Sequence, residues 1–276
     1  MLSELLEVLR SLEEGPSVRV MILSGAGDHF CQGGDRSEFP ALLKKDPSGF
    51  ELRALPDRAR RVCSGLSQLG LVTIARLHGD VMSAGLGLAA YCDLRVGADT
   101  CRFRMPEIGL GVPPAWGGVL PRLAEEAGQA WVRRLLLTAE SFDAARAELL
   151  SILHEVVPLE DLDGAVARWA GPIARRDPTT VRITKQMLNA RWRYRPPGRF
   201  GIRRRTADIR TCQEETAPAV TRARPGRAGC PGRYSRVAPR LCVASVPCQC
   251  SRIAETFLCS LPLTEAGPSL EAAHAV

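Results

Sequence analysis

Aromatic residues and long apolar runs are both scarce in this chain of 276 residues. Only 5% of its residues are Phe, Trp or Tyr, so a core must be built mainly from Leu, Val, Ala and Ile. No apolar run reaches the roughly 18 residues that mark a membrane-spanning helix. The amino terminus carries Glu4, Glu7 and Arg10 inside an amphipathic pattern, which is unlike a secretory signal. These absences predict a globular protein, with the reducing cytoplasm as its default compartment.

Motifs for bound metals and dinucleotides are missing as well. Cys248 and Cys250 stand too close together for the usual zinc knuckle, and no second pair follows at a convincing spacing. Gly25 and Gly27 lack the third glycine of a dinucleotide fingerprint. Three histidines show no spacing typical of a metal site or a catalytic triad: His29, His78 and His154. We therefore expect no metal.

Lysine is absent after residue 190, where arginine is abundant. Fifteen Arg and six Asp or Glu follow that residue, so the net charge of +7 arises wholly in this tail. The tail also holds nine of the twenty prolines and the run Arg203–Arg205, and it shows no sustained helical or alternating period. We divide the chain into a core at 1–191 and a tail at 192–276, which we expect to be irregular.

Apolar periodicity in the core alternates between strand and helix, and helices dominate its second half. Strands are predicted at 18–23, 71–77, 94–98 and 154–157, and helices at 2–13, 56–69, 84–91, 117–127, 129–138, 143–150, 159–175 and 178–191. This is an α/β pattern in which crossover helices join parallel strands. The helical segments of 159–191 look like a packing or oligomerisation unit.

Two glycine-rich turns each follow an apolar strand and lead into a helix start, at Gly25–Asp35 and at His78–Gly87. Backbone N–H groups at such turns are unpaired donors that point outward. Either turn alone is more often only a tight turn. Two such donors converging on one point would form an oxyanion hole for an acyl group. Glu107, on a loop rich in Gly and Pro, is then a candidate general acid and base.

The order and spacing of four motifs resemble those of the crotonase (enoyl-CoA hydratase/isomerase) superfamily. The motifs are Val18–Asp35, His78–Asp93, Phe103–Gly118 and Leu135–Pro158. The resemblance covers about residues 2–191. It implies a crotonase-like spiral of ββα units, a C-terminal helical region that forms trimers, and a fatty acyl-CoA thioester as the substrate.

The resemblance also implies roles for single residues. The N–H groups of Gly34 and Ala84 would be the oxyanion donors, and Glu107 would move the proton. Asp35 would cap the helix that follows Gly34. The residues implied at the substrate are Gln32, Gly34, Asp35, Arg36, Ala84, Pro106 and Leu110. No separate cofactor is implied, because coenzyme A is part of the substrate. The expected partners are an acyl-CoA and further copies in a homotrimer or hexamer, and neither a membrane nor nucleic acid.

One departure from the family pattern bears on the reaction. Family hydratases hold the attacking water between two glutamates. The later one matches Glu107, whereas the earlier one falls at Gly87, which has no side chain. One carboxylate is enough to move a proton between the α- and γ-carbons of an enoyl thioester. We therefore expect isomerisation or weak hydration.

Both ends of the chain also depart from the family. The family's first strands and a loop that touches coenzyme A do not precede Met1, and its acidic helical ending is replaced by the tail. A frameshift or a mispredicted gene would explain this tail, and a genuine extension is the alternative. Two further functions stay open: a non-catalytic acyl-CoA-binding relative or decayed gene product, and a polyanion binder acting through the Arg-rich tail.

Overall fold

The computed structural model describes residues 1–15, 17–35, 44–46, 48, 50–193, 240–246 and 261–262. Its helices are α1 (Leu2–Glu14), α2 (Phe50–Gln68), α3 (Ala84–Tyr91), α4 (Val119–Glu126), α5 (Gln129–Thr138), α6 (Ala144–Leu149), α7 (Leu162–Ala174) and α8 (Pro178–Arg193). Its strands are β1 (Val18–Gly25), β2 (Val72–Leu77), β3 (Asp80–Met82), β4 (Leu94–Ala98), β5 (Arg102–Arg104), β6 (Phe142–Asp143), β7 (Glu155–Val157), β8 (Arg240–Val246) and β9 (Leu261–Pro262).

The predicted alternation of strands and helices is confirmed, with small shifts at the element ends. The largest shift is in α2, which begins at Phe50 and carries Pro56 within it. Three short strands, β3, β5 and β6, were not expected, because runs of two or three residues show no alternation.

Two sheets form the frame of the described part. The larger has the strand order β7-β4-β2-β1-β8-β9, and all its neighbours are parallel except the pair β8 and β9. The smaller has the order β3-β5-β6. The chain passes from the larger sheet to the smaller and then into a helix, as in β2, β3 and α3. This is the expected α/β fold with parallel strands and crossover helices.

The core is aliphatic, as the composition predicts. In α1, Leu5, Val8, Leu9 and Leu12 are buried at helical spacing. Leu9 lies against α2 at Gly65, where an added Cβ would stand only 2.9 Å from the leucine Cδ1. The aromatic rings of Phe30 and Phe103 are fully buried.

A buried lysine fixes α8 to the rest of the core. The Lys185 ammonium donates to the carbonyl oxygens of Leu66 (3.1 Å) and Leu71 (2.9 Å). It also lies 2.7 Å from a carboxylate oxygen of Asp93. That oxygen accepts hydrogen bonds from the backbone and hydroxyl of Thr73, so the ion pair is embedded in a wider network. Buried charges in proteins require such pairing.

Part of the tail is regular. Strand β8 runs parallel to β1, with Val18 opposite Arg240 and Gly25 opposite Val246. The expectation of an irregular tail therefore does not describe 240–246, where the apolar run of Leu, Val and Ala extends the sheet. The run Arg203–Arg205 lies outside the described residues. Among the residues described, none of the helices combines the length and apolarity that a bilayer crossing requires.

Candidate active site

Three parallel segments end side by side at one edge of the smaller sheet. Cys31 forms a parallel bridge with Val81, and β3 runs parallel to β5 with Met82 opposite Arg104. The Ser83 N–H donates to the Arg104 carbonyl at 3.0 Å. The three predicted catalytic groups follow these ends closely along the chain: Gly34, Ala84 and Glu107. Ligands commonly bind beyond the carboxyl ends of parallel strands.

The two glycine-rich turns touch each other. A Cβ on Gly33 would stand 3.0 Å from the Ser83 Cβ, and Gly33 has a φ of 102°, which favours glycine. A Cβ on Gly85 would overlap the Cys31 carbonyl oxygen. The Met82 N–H donates to that same oxygen at 2.8 Å. The two turns are therefore in direct contact.

Ala84 is the first residue of α3, and its side chain is buried. The helical ladder begins with the Gly87 N–H, which donates to the Ser83 carbonyl at 3.1 Å. The N–H groups of the first turn, from Ala84 onward, stand outside this ladder, as at any helix start. Gly34 comes directly after the glycine that contacts Ser83. The two proposed donors therefore belong to touching segments.

Glu107 begins a single 3₁₀ turn, Glu107–Leu110, which Gly111 closes in the left-handed region with a φ of 72°. The Val112 N–H donates to the Glu107 carbonyl at 3.1 Å, which fixes the turn. The Glu107 residue is only 7% exposed. Within the described residues, neither carboxylate oxygen has a hydrogen-bond partner. Burying a carboxylate without a hydrogen-bond partner costs free energy. Such an unpaired carboxylate is typical of a site where a ligand supplies the partner.

The remaining predicted substrate residues are placed as follows. The Gln32 amide donates to an Asp80 carboxylate oxygen at 2.7 Å, so this side chain is already engaged. Pro106 immediately precedes the Glu107 turn. Leu110 is 47% exposed, and Ile108 and Val112 beside it are about as open, which forms an apolar rim next to the buried carboxylate.

The described residues of the first turn end at Asp35. Asp35 is described and half-buried at the end of the first turn. Arg36 lies outside the described residues, and so does the helix that Asp35 was expected to cap.

Position 87 is packed against an indole ring. A Cβ on Gly87 would stand 2.6 Å from Cε3 and 2.7 Å from Cζ3 of Trp116. No side chain fits here unless Trp116 moves. The resemblance implied that a carboxylate is missing at 87, but sequence reasoning overlooked Trp116. The two residues are distant in sequence, and only the glycine pair that follows Trp116 indicates a special turn.

A cavity of about 490 Å³ lies elsewhere, lined by the amino ends of β1 and β2 together with α1 and α8. Its lining includes Glu13 and the guanidinium-bearing residues Arg19, Arg176 and Arg182. Because it opens at the amino ends of the strands, it is separate from the edge that carries Glu107. In the described part of the chain, no group of three or more His, Cys, Asp or Glu residues is arranged to hold a metal.

Comparison with known proteins places this arrangement in a family. The family model for enoyl-CoA hydratase/isomerase matches residues 1–217. The short-chain-enoyl-CoA hydratase of Clostridium acetobutylicum is 30% identical over 189 residues, which cover 68% of this chain and 70% of that protein. The peroxisomal Delta(3,5)-Delta(2,4)-dienoyl-CoA isomerase of Arabidopsis thaliana is 31% identical over 190 residues, covering 66% and 68%.

Solved structures agree with these relatives. An enoyl-CoA hydratase from Bacillus anthracis superposes with a TM-score of 0.65 at 27% identity, covering 70% of this chain and 73% of that one. An enoyl-CoA hydratase/isomerase from Marinobacter aquaeolei gives 0.62 at 31% identity, covering 68% and 72%. The chain therefore belongs to the enoyl-CoA hydratase/isomerase family of the crotonase superfamily and is an enzyme of that type.

Proposed function

We propose that the chain isomerises the double bond of a fatty enoyl-CoA thioester and hydrates it weakly at most. Glu107 is the proton-transfer group, and the N–H groups of Gly34 and Ala84 bind the thioester oxygen. The observation that carries this proposal is the buried Glu107 carboxylate, which has no partner among the described residues. Glu107 follows β5 by three residues, and β5 pairs with β3, the strand that leads into the turn of Ala84.

The isomerisation needs only one acid/base group. The Glu107 carboxylate takes a proton from C2 of a 3-enoyl thioester, and the C–H electron pair moves into a dienolate whose charge rests on the thioester oxygen. The Gly34 and Ala84 N–H groups stabilise that oxygen, and losing one such donor typically costs about 3–4 kcal/mol. The Glu107 carboxylic acid then returns the proton to C4, which leaves the conjugated 2-enoyl thioester.

Hydration places more demands on the site. Water must bond to C3 while a base takes its proton, and C2 must then receive a proton. Gly87 supplies no second carboxylate to orient that water. Glu107 would have to perform both transfers, so we propose that hydration is slow here.

A non-catalytic acyl-CoA-binding relative is the second candidate, and the absence of a side chain at Gly87 favours it. It predicts binding of the thioester without turnover. Coenzyme A belongs to the substrate in both proposals, so neither requires a separate cofactor.

Turnover of cis-3- and trans-2-enoyl-CoA by the purified full chain separates the two candidates. We expect interconversion, and a loss of about 10²- to 10⁴-fold in Glu107→Gln, the usual contribution of a general acid/base. Glu125→Gln, at an exposed glutamate of α4, is the matched control and should keep full activity. Binding without turnover supports the non-catalytic candidate, and turnover unchanged by Glu107→Gln rejects the proposed role.

For assembly we propose a homotrimer, or a hexamer of two trimers. Helix α8 exposes Ile183, Met187 and Leu188, the last two at 71%, and such apolar surface is typical of contact sites. Sedimentation equilibrium would test this.

For the compartment we propose the cytoplasm. Four buried cysteines form no disulfide, as expected of ordinary core thiols in a reducing environment: Cys31, Cys63, Cys92 and Cys101.

A further inference from the structure

Trp116 fills the space beside Gly87, and this contact leaves no room for another group. The indole atoms Cε3 and Cζ3 would lie 2.6 and 2.7 Å from a Cβ at that position. In the described residues, position 87 therefore lacks a side chain and is also blocked by a neighbouring residue. An aromatic ring closes the space that a side chain would need.

This ring lies on the helix face that carries the proposed oxyanion donor. Residues 84 and 87 are three apart on α3, so they share one face one turn apart. Trp116 is half-buried, and it packs against Gly87 on that face. The indole therefore forms a wall within about one helical turn of the Ala84 N–H.

The turn that carries Trp116 is held firmly in place. Gly117 and Gly118 both adopt left-handed backbone conformations, with φ of 61° and 73°. A Cβ on Gly117 would stand 2.5 Å from the Cys63 Sγ, so the turn packs closely on α2. The Tyr91 hydroxyl donates to the Gly118 carbonyl at 3.1 Å, which ties the turn to the end of α3. These contacts restrict movement of the Trp116 ring away from Gly87.

We propose that Trp116 is a specificity-determining residue that keeps water out of the acyl site and so directs the enzyme to isomerisation. This rests on the proposed function. A buried water occupies about 30 Å³ and needs two to four polar partners. The carbon edge of the indole offers none, Gly87 has no side chain, and the Gly87 N–H already donates to the Ser83 carbonyl. A hydrating water would bond to C3 through its oxygen and pass its proton to Glu107 and then to C2. Beside the Trp116 ring, this water lacks the polar partners that would hold it.

Two substitutions of Trp116, one that removes the ring and one that keeps an aromatic ring, test whether the indole excludes water. In Trp116→Ala, the ratio of 3-hydroxyacyl-CoA formation to double-bond interconversion should rise about tenfold or more, which is the scale of discrimination by pocket shape. Trp116→Phe keeps an aromatic wall and should stay near the wild-type ratio. Trp131→Ala is the control, because Trp131 lies on α5, where its ring contacts the guanidinium groups of Arg134 and Arg146. Thermal unfolding confirms that each variant is folded.

Binding provides a second readout that does not depend on turnover. Butyryl-CoA should change the tryptophan fluorescence of the wild type and of Trp131→Phe, but much less that of Trp116→Phe. An unchanged reaction ratio in folded Trp116→Ala overturns the proposal, and so does an unchanged fluorescence response in Trp116→Phe. If the wild type turns over neither thioester, the proposed function fails, and the fluorescence comparison still decides whether Trp116 lines the acyl site.

Discussion

Single glycines bring the two turns of the candidate site into contact. Gly85 has no side chain to separate α3 from the Cys31 segment, and a Cβ there would also lie 2.9 Å from the Cys31 Cβ. Gly33 meets Ser83 in the same way. These positions fix the distance between the two proposed donors. We therefore expect that one methyl group added at either glycine lowers the activity.

Gly85→Ala should therefore destabilise the protein by about 1–3 kcal/mol, the usual cost of overpacking. It should also lower kcat, because the start of α3 must move away from Gly34. Gly164→Ala, in α7, is the matched control, since nothing lies within 4 Å of its added Cβ. An alanine there should stabilise the helix by up to about 1 kcal/mol. Urea unfolding and enoyl-CoA turnover measure both effects. Equal stability changes in the two variants would contradict this packing argument.

The residues of the site differ in how well the sequence predicts them. Gly34, Ala84 and Glu107 stand in local motifs, so motif order was enough to propose them. Trp116 was missed because its role depends on a contact with Gly87 that exists only after folding. The resemblance implied a group missing at 87, and only the structure reveals that Trp116 packs against that position.

At the scale of elements, the shortest strands position the site. Strands β3 and β5 have three residues each, too few for a visible period, yet their parallel pairing brings Ala84 and Glu107 to one edge. The longer elements were predicted from periodicity because their buried faces repeat over many residues, as in α1. Pairing between distant strands is not encoded in any local pattern, so the smaller sheet was not foreseen.

The pairing of β4 with β7 contains a titratable contact. The Arg95 N–H donates to Nδ1 of His154 at 3.0 Å, so that nitrogen must be unprotonated. Burial, together with the positive charges of Arg95 and Arg122, lowers the pKa of His154 from 6.5 to about 4. Glu126 pairs with the same arginines and is the acidic group of this cluster.

Stability should therefore fall as the pH drops from about 6.5 towards 4, because the unfolded chain binds a proton at His154 that the folded one resists. His154→Asn keeps an acceptor oxygen near the Nδ1 position and does not titrate. Urea unfolding at several pH values should give a smaller loss for His154→Asn than for the wild type. The same pH slope in both proteins would show that His154 is not responsible.

At the scale of the whole molecule, the tail takes part in the fold. Strand β8 covers the β1 edge of the sheet, and a strand edge left open is prone to aggregate. Proline content and the Arg run predicted an irregular tail, but neither bears on the apolar segment 240–246. Because composition is an average over a long segment, it does not indicate a single short strand within that segment.

Deleting residues 240–276 should destabilise the protein by several kcal/mol, at about 1 kcal/mol for each ladder hydrogen bond lost. It should also cause aggregation on heating, because β1 would become an open edge. Deleting only 263–276 is the control, because it leaves both β8 and β9 in place. Light scattering during thermal unfolding measures both properties. Equal behaviour of the two deletions would mean that β8 contributes nothing to stability.

The central claim is that Glu107 moves protons on a thioester whose oxygen is held by the two turns. Removal of deuterium from C2 of a 3-enoyl-CoA that is dideuterated at that carbon, followed by mass spectrometry, tests it most directly. The wild type should remove a C2 deuteron and deliver it to C4, and Glu107→Gln should remove it at least about 100-fold more slowly. Removal by Glu107→Gln at the wild-type rate, or no removal by the wild type, would contradict the account.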